Sequence, residues 1–375
     1  MSIAQDPRKA GTTAGGDLVY AALRQPQLLA QLTLAGWDAL VRQARSAGLL
    51  ARVGCVLEAQ GSLEIVPEAP RAHLRSAILL AEAQHAEALR ELDCIHRALA
   101  PTGVRPVLLK GAAYVAGGLL PAMGRVFSDI DILVPKSRLP EVEAALMSQG
   151  WATTHHSAYD QRYYRQWMHE LPPLRHIQRQ NVLDVHHAIL PETARLKPSS
   201  AKLLANARQL TTDPRFAVLD DADIVLHSMV HLFHNDDLSH ALRDLSDLDM
   251  LLRQFGLIPG FWVELVERGR ELDLSRPLHY GLRYTHQLLA TPVPQQVLDA
   301  AAAGGPGRLV GAASDWLWAR ALRPQHATAS DRWAAPARFA LYVRAHGLRM
   351  PPLLLLRHLT VKALRLHEAP ATANP

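Results

Sequence analysis

Two carboxylates one residue apart, Asp129 and Asp131, are the residues whose types and spacing first suggest chemistry. They lie in Ser128-Asp129-Ile130-Asp131-Ile132-Leu133-Val134, an apolar run with strand character. Side chains alternate across a strand, so both acids face one side while Ile130, Ile132 and Val134 face a core. Like charges this close repel, and a fold that keeps them needs a reason; a divalent cation carrying phosphates is the usual one. A solvated strand end is the plainer alternative. It loses weight because a third acid, Asp184, sits in a second strand-like run over 182–190, with His186 two residues on and on the same face. Three carboxylates can hold two Mg²⁺ ions about 3.5–4 Å apart and clamp a phosphoryl group for in-line displacement. Asp184 would help deprotonate the attacking hydroxyl. Lys110-Gly111 marks a turn after Val107-Leu108-Leu109, where backbone N–H groups would approach phosphate at a helix N-terminus. Lys110 and Arg125 are the cations expected to neutralise charge on a leaving pyrophosphate.

Histidines supply the remaining candidates. His227, His231 and His234 share one helix face at i, i+4 and i+7, a spacing that can bind Zn²⁺ with Asp244 and Asp247 adding oxygens. No HExxH pattern or cysteine partner accompanies them, so the plain reading is polar residues on helices that cover the site. His169 and Glu170 precede Leu171-Pro172-Pro173; they form either a substrate-facing loop or an exposed turn. His186 is expected to face the site, with no acid, base or ligand duty assigned.

The elements that must position these groups follow from periodicity. Two helices are predicted over 18–52 with a break near Gly36, and a long Ala/Leu/Glu-rich helix over 70–99. The middle of the chain predicts strands over 105–109, 127–134, 151–156 and 182–190, with helices over 112–120 and 138–149 between them. Asp220-Asp221-Ala222-Asp223 reads as a helix N-terminus. Residues 300–311, rich in Ala and Gly, read as a loop or domain joint, and 315–322 as a short helix. The expected organisation is a helical region over 1–100, a catalytic core over 101–198, a helical domain over 199–320 and a basic tail over 321–375.

At 375 residues, 49% hydrophobic and 20% charged, the composition is that of a soluble globular protein with a sizeable core. No apolar run approaches the ~20 residues of a membrane span. The first residues show no apolar signal-peptide core, and Cys55 and Cys94, outside any CxxC pattern, read as buried thiols of a reducing cytosol. Nine basic residues against two acids between Arg320 and Pro375 exceed the whole chain's net charge of +5. The body therefore has no broad basic surface of the kind that binds nucleic acid. The segment 353–366 is apolar with His358, Lys362 and Arg365 along one face; it either docks on the body or makes a peripheral contact with an anionic membrane.

Taken in order, LLKGAA, an Arg three residues ahead of SDIDILV, and LDVHH resemble the DNA polymerase beta-like nucleotidyltransferase superfamily. Within it they are most similar to the bacterial nucleotidyltransferases that carry Lys-Gly where Gly-Ser is more usual. The resemblance covers about 100–255. It implies an α+β fold with a small mixed sheet flanked by helices. It also implies Asp129 and Asp131 as metal ligands, Asp184 as the third acid, and Lys110, Gly111 and Ser128 near the nucleotide phosphates. The expected activity is Mg²⁺- or Mn²⁺-dependent transfer of an NMP from an NTP such as ATP to an acceptor hydroxyl or phosphate, with release of pyrophosphate, in the cytoplasm. The acceptor stays open among a sugar-like molecule, a polysaccharide precursor and a protein side chain. Two other readings stand beside it: a non-catalytic nucleotide-binding or scaffold protein of a biosynthetic assembly, and a metal-dependent phosphohydrolase built on the His227/His231/His234 face.

Overall fold

The structure is a computed structural model that describes residues 18–127, 129–154 and 158–351. Its strands are β1 (Val107–Leu109), β2 (Asp129–Leu133), β3 (Trp151–Thr153), β4 (Leu174–His176), β5 (Val182–His186), β6 (Arg208–Gln209) and β7 (Ala217–Val218). They form one mixed sheet in the order β3-β4-β5-β2-β1-β7-β6. A strand covered on both faces reads as an unbroken apolar run, and Val107-Leu108-Leu109, all buried, takes an interior place accordingly. β2 runs antiparallel to β1 and parallel to β5. Helices surround this sheet, so the fold is α+β, as expected.

The Glu68–Leu99 helix buries Leu74, Ile78, Ala81, Ala88, Leu92, Ile95 and Leu99, a stripe at helical spacing, and leaves its Glu- and Arg-rich side outward. It packs against the helices Lys110–Gly117 and Leu139–Ser148. The helix Asp221–His234 packs on Ala241–Phe255 and Ser275–Leu289 and lies over the face of the sheet to which the carboxylates point. Ala334–Arg349 packs on Asp221–His234, where Arg344 Nη1 donates to the Phe233 carbonyl at 2.9 Å. Buried apolar side chains from Leu18 to Leu341 belong to one continuous cluster. None of the described helices is long and apolar enough to cross a membrane.

Several boundaries differ from expectation for local reasons. Gly36 does not break a helix: Thr33 Oγ1 accepts from its N–H at 3.2 Å and caps the helix Leu34–Ser46, so the breaks fall on either side. Residues 300–311 are mostly helical, within Gln295–Ala302 and Arg308–Ala321; the interruption is confined to the turn around Gly304, where a side chain would strike the Ser275 carbonyl. β5 ends at His186 because the chain then turns to pair with His169, whose carbonyl accepts from His187 N at 2.8 Å. β3 is also shorter than predicted, residues 155–157 lying outside the described residues. Cys55 and Cys94 are unpaired thiols, half-buried rather than buried. The segment 353–366 lies outside the described residues.

Candidate active site

Parallel neighbours in a sheet lie about 4.8 Å apart. The register that sets Asp131 opposite Asp184 therefore makes two acids neighbours, and Asp129, opposite Val182, joins them from the same face of β2. Ligand atoms of Asp129, Asp131 and Asp184 all lie within 4.8 Å of one another. The two central carboxylates are driven in opposite directions. Burial works against ionised Asp131, yet the Lys110 ammonium and His186 together outweigh it and hold its carboxyl well below the usual range. Burial, then the charges of Asp131 and Glu170, push Asp184 up to about 7. Asp184 Oδ1 is buried without a hydrogen-bond partner among the described residues. An orphaned carboxylate oxygen in an all-oxygen anionic donor set fits a hard divalent cation such as Mg²⁺ or Mn²⁺.

Lys110 stands at the junction where β1 passes without a linker into the Lys110–Gly117 helix. Its φ is +45°, a left-handed conformation that costs a residue with a Cβ about 1–2 kcal/mol and glycine almost nothing. In return its side chain is brought back over the sheet, and Nζ donates to Asp131 Oδ1 at 2.9 Å. Gly111 has a different reason: a Cβ there would lie 2.6 Å from Arg125 Nη1 and 3.0 Å from the Phe127 ring. A serine at 111 therefore has no room while Arg125 keeps its place.

That place corrects the expectation for Arg125, which is 5% exposed and does not line the cavity at the carboxylates. Its Nε donates to Asp247 Oδ2 at 2.7 Å, and its guanidinium sits 5.5 and 5.8 Å from the Tyr114 and Phe127 ring centres. Asp247 Oδ1 also pairs with Arg52 at 2.7 Å. Arg52 in turn donates to the carbonyls of Pro121 and Met123 and to Ser246 Oγ. The chain leading into β2 is thus tied down by a buried Arg52–Asp247–Arg125 triad. Arg125 is a positioning residue. Ser128 lies outside the described residues.

His186 has a carboxylate on each ring nitrogen: Nε2 lies 2.8 Å from Asp131 Oδ1 and Nδ1 3.2 Å from Glu170 Oε2. Burial opposes its charged form, but Glu170 and Asp131 overcome that and raise its pKa above the ordinary histidine value. A backbone bridge between Glu170 and His186 lays residues 169–170 along the end of β5, so His169 is not on an exposed turn. Its ring centre is 5.2 Å from that of His186, and burial holds it well below the usual pKa. Glu170 was legible only as His169's neighbour; no local pattern marks it as the partner of His186.

The three helix histidines separate. His231 and His234 line a cavity of about 180 Å³ together with Lys110, Asp131, Glu170 and Asp184. His231 Nδ1 lies 3.5 Å from Asp244 Oδ2, while burial and then Arg344 and Arg349 push His234 down to about 3. Among the described residues, the groups whose ligand atoms converge are Asp129/Asp131/Asp184 and His169/Glu170/His186. His227, His231 and His234 do not form one among the described residues, and Asp247 is committed to the arginines. Arg349, read from sequence as part of a basic tail, reaches the same cavity from the Ala334–Arg349 helix while paired with Asp236 at 2.6 Å.

Neither the curated proteins nor the solved structures contain a match to this chain. A family model described as an uncharacterised nucleotidyltransferase matches residues 33–290, well beyond 100–255 at both ends. The match spans more than half of the 375 residues and takes in β1, β2, β5 and the helices around them: the chain belongs to this nucleotidyltransferase family.

Proposed function

We propose that this chain transfers an NMP from an NTP to an acceptor hydroxyl or phosphate with release of pyrophosphate, using a divalent cation held by Asp129, Asp131 and Asp184. The observation that carries the reading is the in-register pairing of Asp131 with Asp184, with Asp129 two residues ahead on the same face. A bound Mg²⁺ or Mn²⁺ supplies Lewis-acid charge to phosphoryl oxygens. Lys110 adds a fixed positive charge beside Asp131. Asp184, which stands across the sheet from Asp131, is the carboxylate to accept the acceptor's proton. His186 fixes Asp131, and Glu170 fixes His186. His231, His234 and Arg349 wall the cavity opposite the sheet.

The experiment is incubation with each α-labelled NTP and Mg²⁺ in cell extract, followed by identification of whatever becomes labelled and by measurement of pyrophosphate. Asp129→Asn or Asp131→Asn should abolish transfer while the far-ultraviolet dichroism is unchanged; full transfer by either variant refutes the assignment. NTP binding by calorimetry with no turnover over a broad acceptor panel would establish a non-catalytic nucleotide-binding protein instead.

A further inference from the structure

Asp131 is the middle member of the carboxylate triad, flanked by Asp129 on its own strand and by Asp184 across the sheet. One of its oxygens is already taken. Oδ1 accepts from Lys110 Nζ at 2.9 Å and lies 2.8 Å from His186 Nε2, whose N–H an ionised carboxylate can only accept. A carboxylate offers about two lone-pair sites on each oxygen, so these two donors fill Oδ1 and leave Oδ2 for an ion. Two ions about 3.5–4 Å apart share ligands, and the usual bridge is a carboxylate that gives one oxygen to each, which needs both oxygens open. Here they are not.

The Lys110 side chain is not on Asp131 by accident of a flexible surface. Its backbone is fixed at φ +45° at the strand-to-helix junction, a conformation glycine would take freely. Its ammonium is enclosed by Asp131, Glu170, His231 and His234 in one cavity. A residue with a strained backbone and a partly buried charge aimed at a ligand carboxylate has the position and sign of a cation.

We propose that the Lys110 ammonium occupies one of two cation positions, so that the Asp129/Asp131/Asp184 face binds one divalent ion and carries its second positive charge covalently. The use of that charge rests on the nucleotidyltransferase reading; the number of ions does not. The test is Mn²⁺ titration of the full chain followed by electron paramagnetic resonance of free Mn²⁺, with ions that persist in Asp131→Asn subtracted. The expected counts are one for the wild type, two for Lys110→Gly, which opens Oδ1, and one for Lys110→Arg, which keeps a cation. Two ions in the wild type, or no gain in a Lys110→Gly protein with an intact melting transition, overturns the proposal. If Lys110→Gly does not fold, the wild-type count with a non-hydrolysable ATP analogue, corrected for Mn²⁺ bound to free analogue, decides between one and two. No ion in the wild type overturns both this proposal and the metal site of the functional reading. The expected counts without NMP transfer would refute the activity alone.

Discussion

Replacing Asp247, on the helix Ala241–Phe255, by asparagine should be the most destabilising conservative change among the groups that anchor the loop leading into β2. Asp247 is 2% exposed and is the carboxylate between two guanidiniums, Arg52 at 1% and Arg125 at 5%, each 2.7 Å away. The asparagine amide has nearly the same shape as the carboxylate and still offers one acceptor, so the loss is one of charge. Breaking a buried ion pair costs about 3–5 kcal/mol because the surviving charge stays desolvated. Both pairs here share a single carboxylate, so the two losses are one event, and we expect about 3–5 kcal/mol for Asp247→Asn. That is a large part of the roughly 5–15 kcal/mol that holds a domain folded. Asp38 provides the control: its pair with Arg42 is about 60% exposed on both sides, and Asp38→Asn should stay within roughly 0.5 kcal/mol of the wild type. Urea unfolding with a common m-value measures both. Because the triad holds the segment between Pro121 and Phe127, Mn²⁺ affinity should also fall in Asp247→Asn before the protein unfolds. A loss of stability below about 1 kcal/mol, similar to the control, would refute the claim that the triad anchors this segment.

Three further outcomes follow from the site. Gly111→Ser should cost about 1–3 kcal/mol as an overpacked position, and a double-mutant cycle with Arg125→Ala should show positive coupling, since the new side chain meets Arg125 Nη1; urea unfolding of the four proteins checks it. Asp184 has a folded pKa of about 7, above its unfolded value near 3.9. The folded state therefore holds a proton on Asp184 that the unfolded state lacks between these values, and the Asp184 contribution to metal-free stability should fall as pH rises from about 4 to 7, against the opposite contribution of the buried neutral His169 and His234. Asp184→Asn should remove that contribution, so the variant's stability relative to the wild type should rise from about pH 4 to 7 in thermal melts in chelator; a difference independent of pH would refute the assignment. Mg²⁺ should raise the melting temperature more at pH 8 than at pH 5, because protonation of Asp184 competes with the ion; an equal shift at both pH values would point to binding elsewhere.

What was legible in the sequence was whatever a local rule decides. Alternation along a strand placed Asp129 and Asp131 together, and an acid inside a second apolar run identified Asp184, but their register is a property of the β2–β5 pairing that neither segment contains alone. Helical spacing put His227, His231 and His234 on one face; only the packing of that helix sends His231 to Asp244 and leaves His234 against the arginines. Arg125 departs from expectation for the same reason. Four residues ahead of Asp129 it has the place of a phosphate contact, while its partner Asp247 is 122 residues away. That distant pair also explains the one departure from the family resemblance. With Arg125 drawn inward by Asp247, its guanidinium fills the space a side chain at 111 would need, so 111 is glycine. Position 110, where the backbone turns left-handed, is then free of its usual glycine only if a side chain repays the strain, and a lysine does so by reaching Asp131. Lys110-Gly111 is thus coupled to Asp247 through Arg125, and Gly-Ser at 110–111 should cost less stability relative to its own background in Arg125→Ala than in the wild type, as urea unfolding of the four proteins would show.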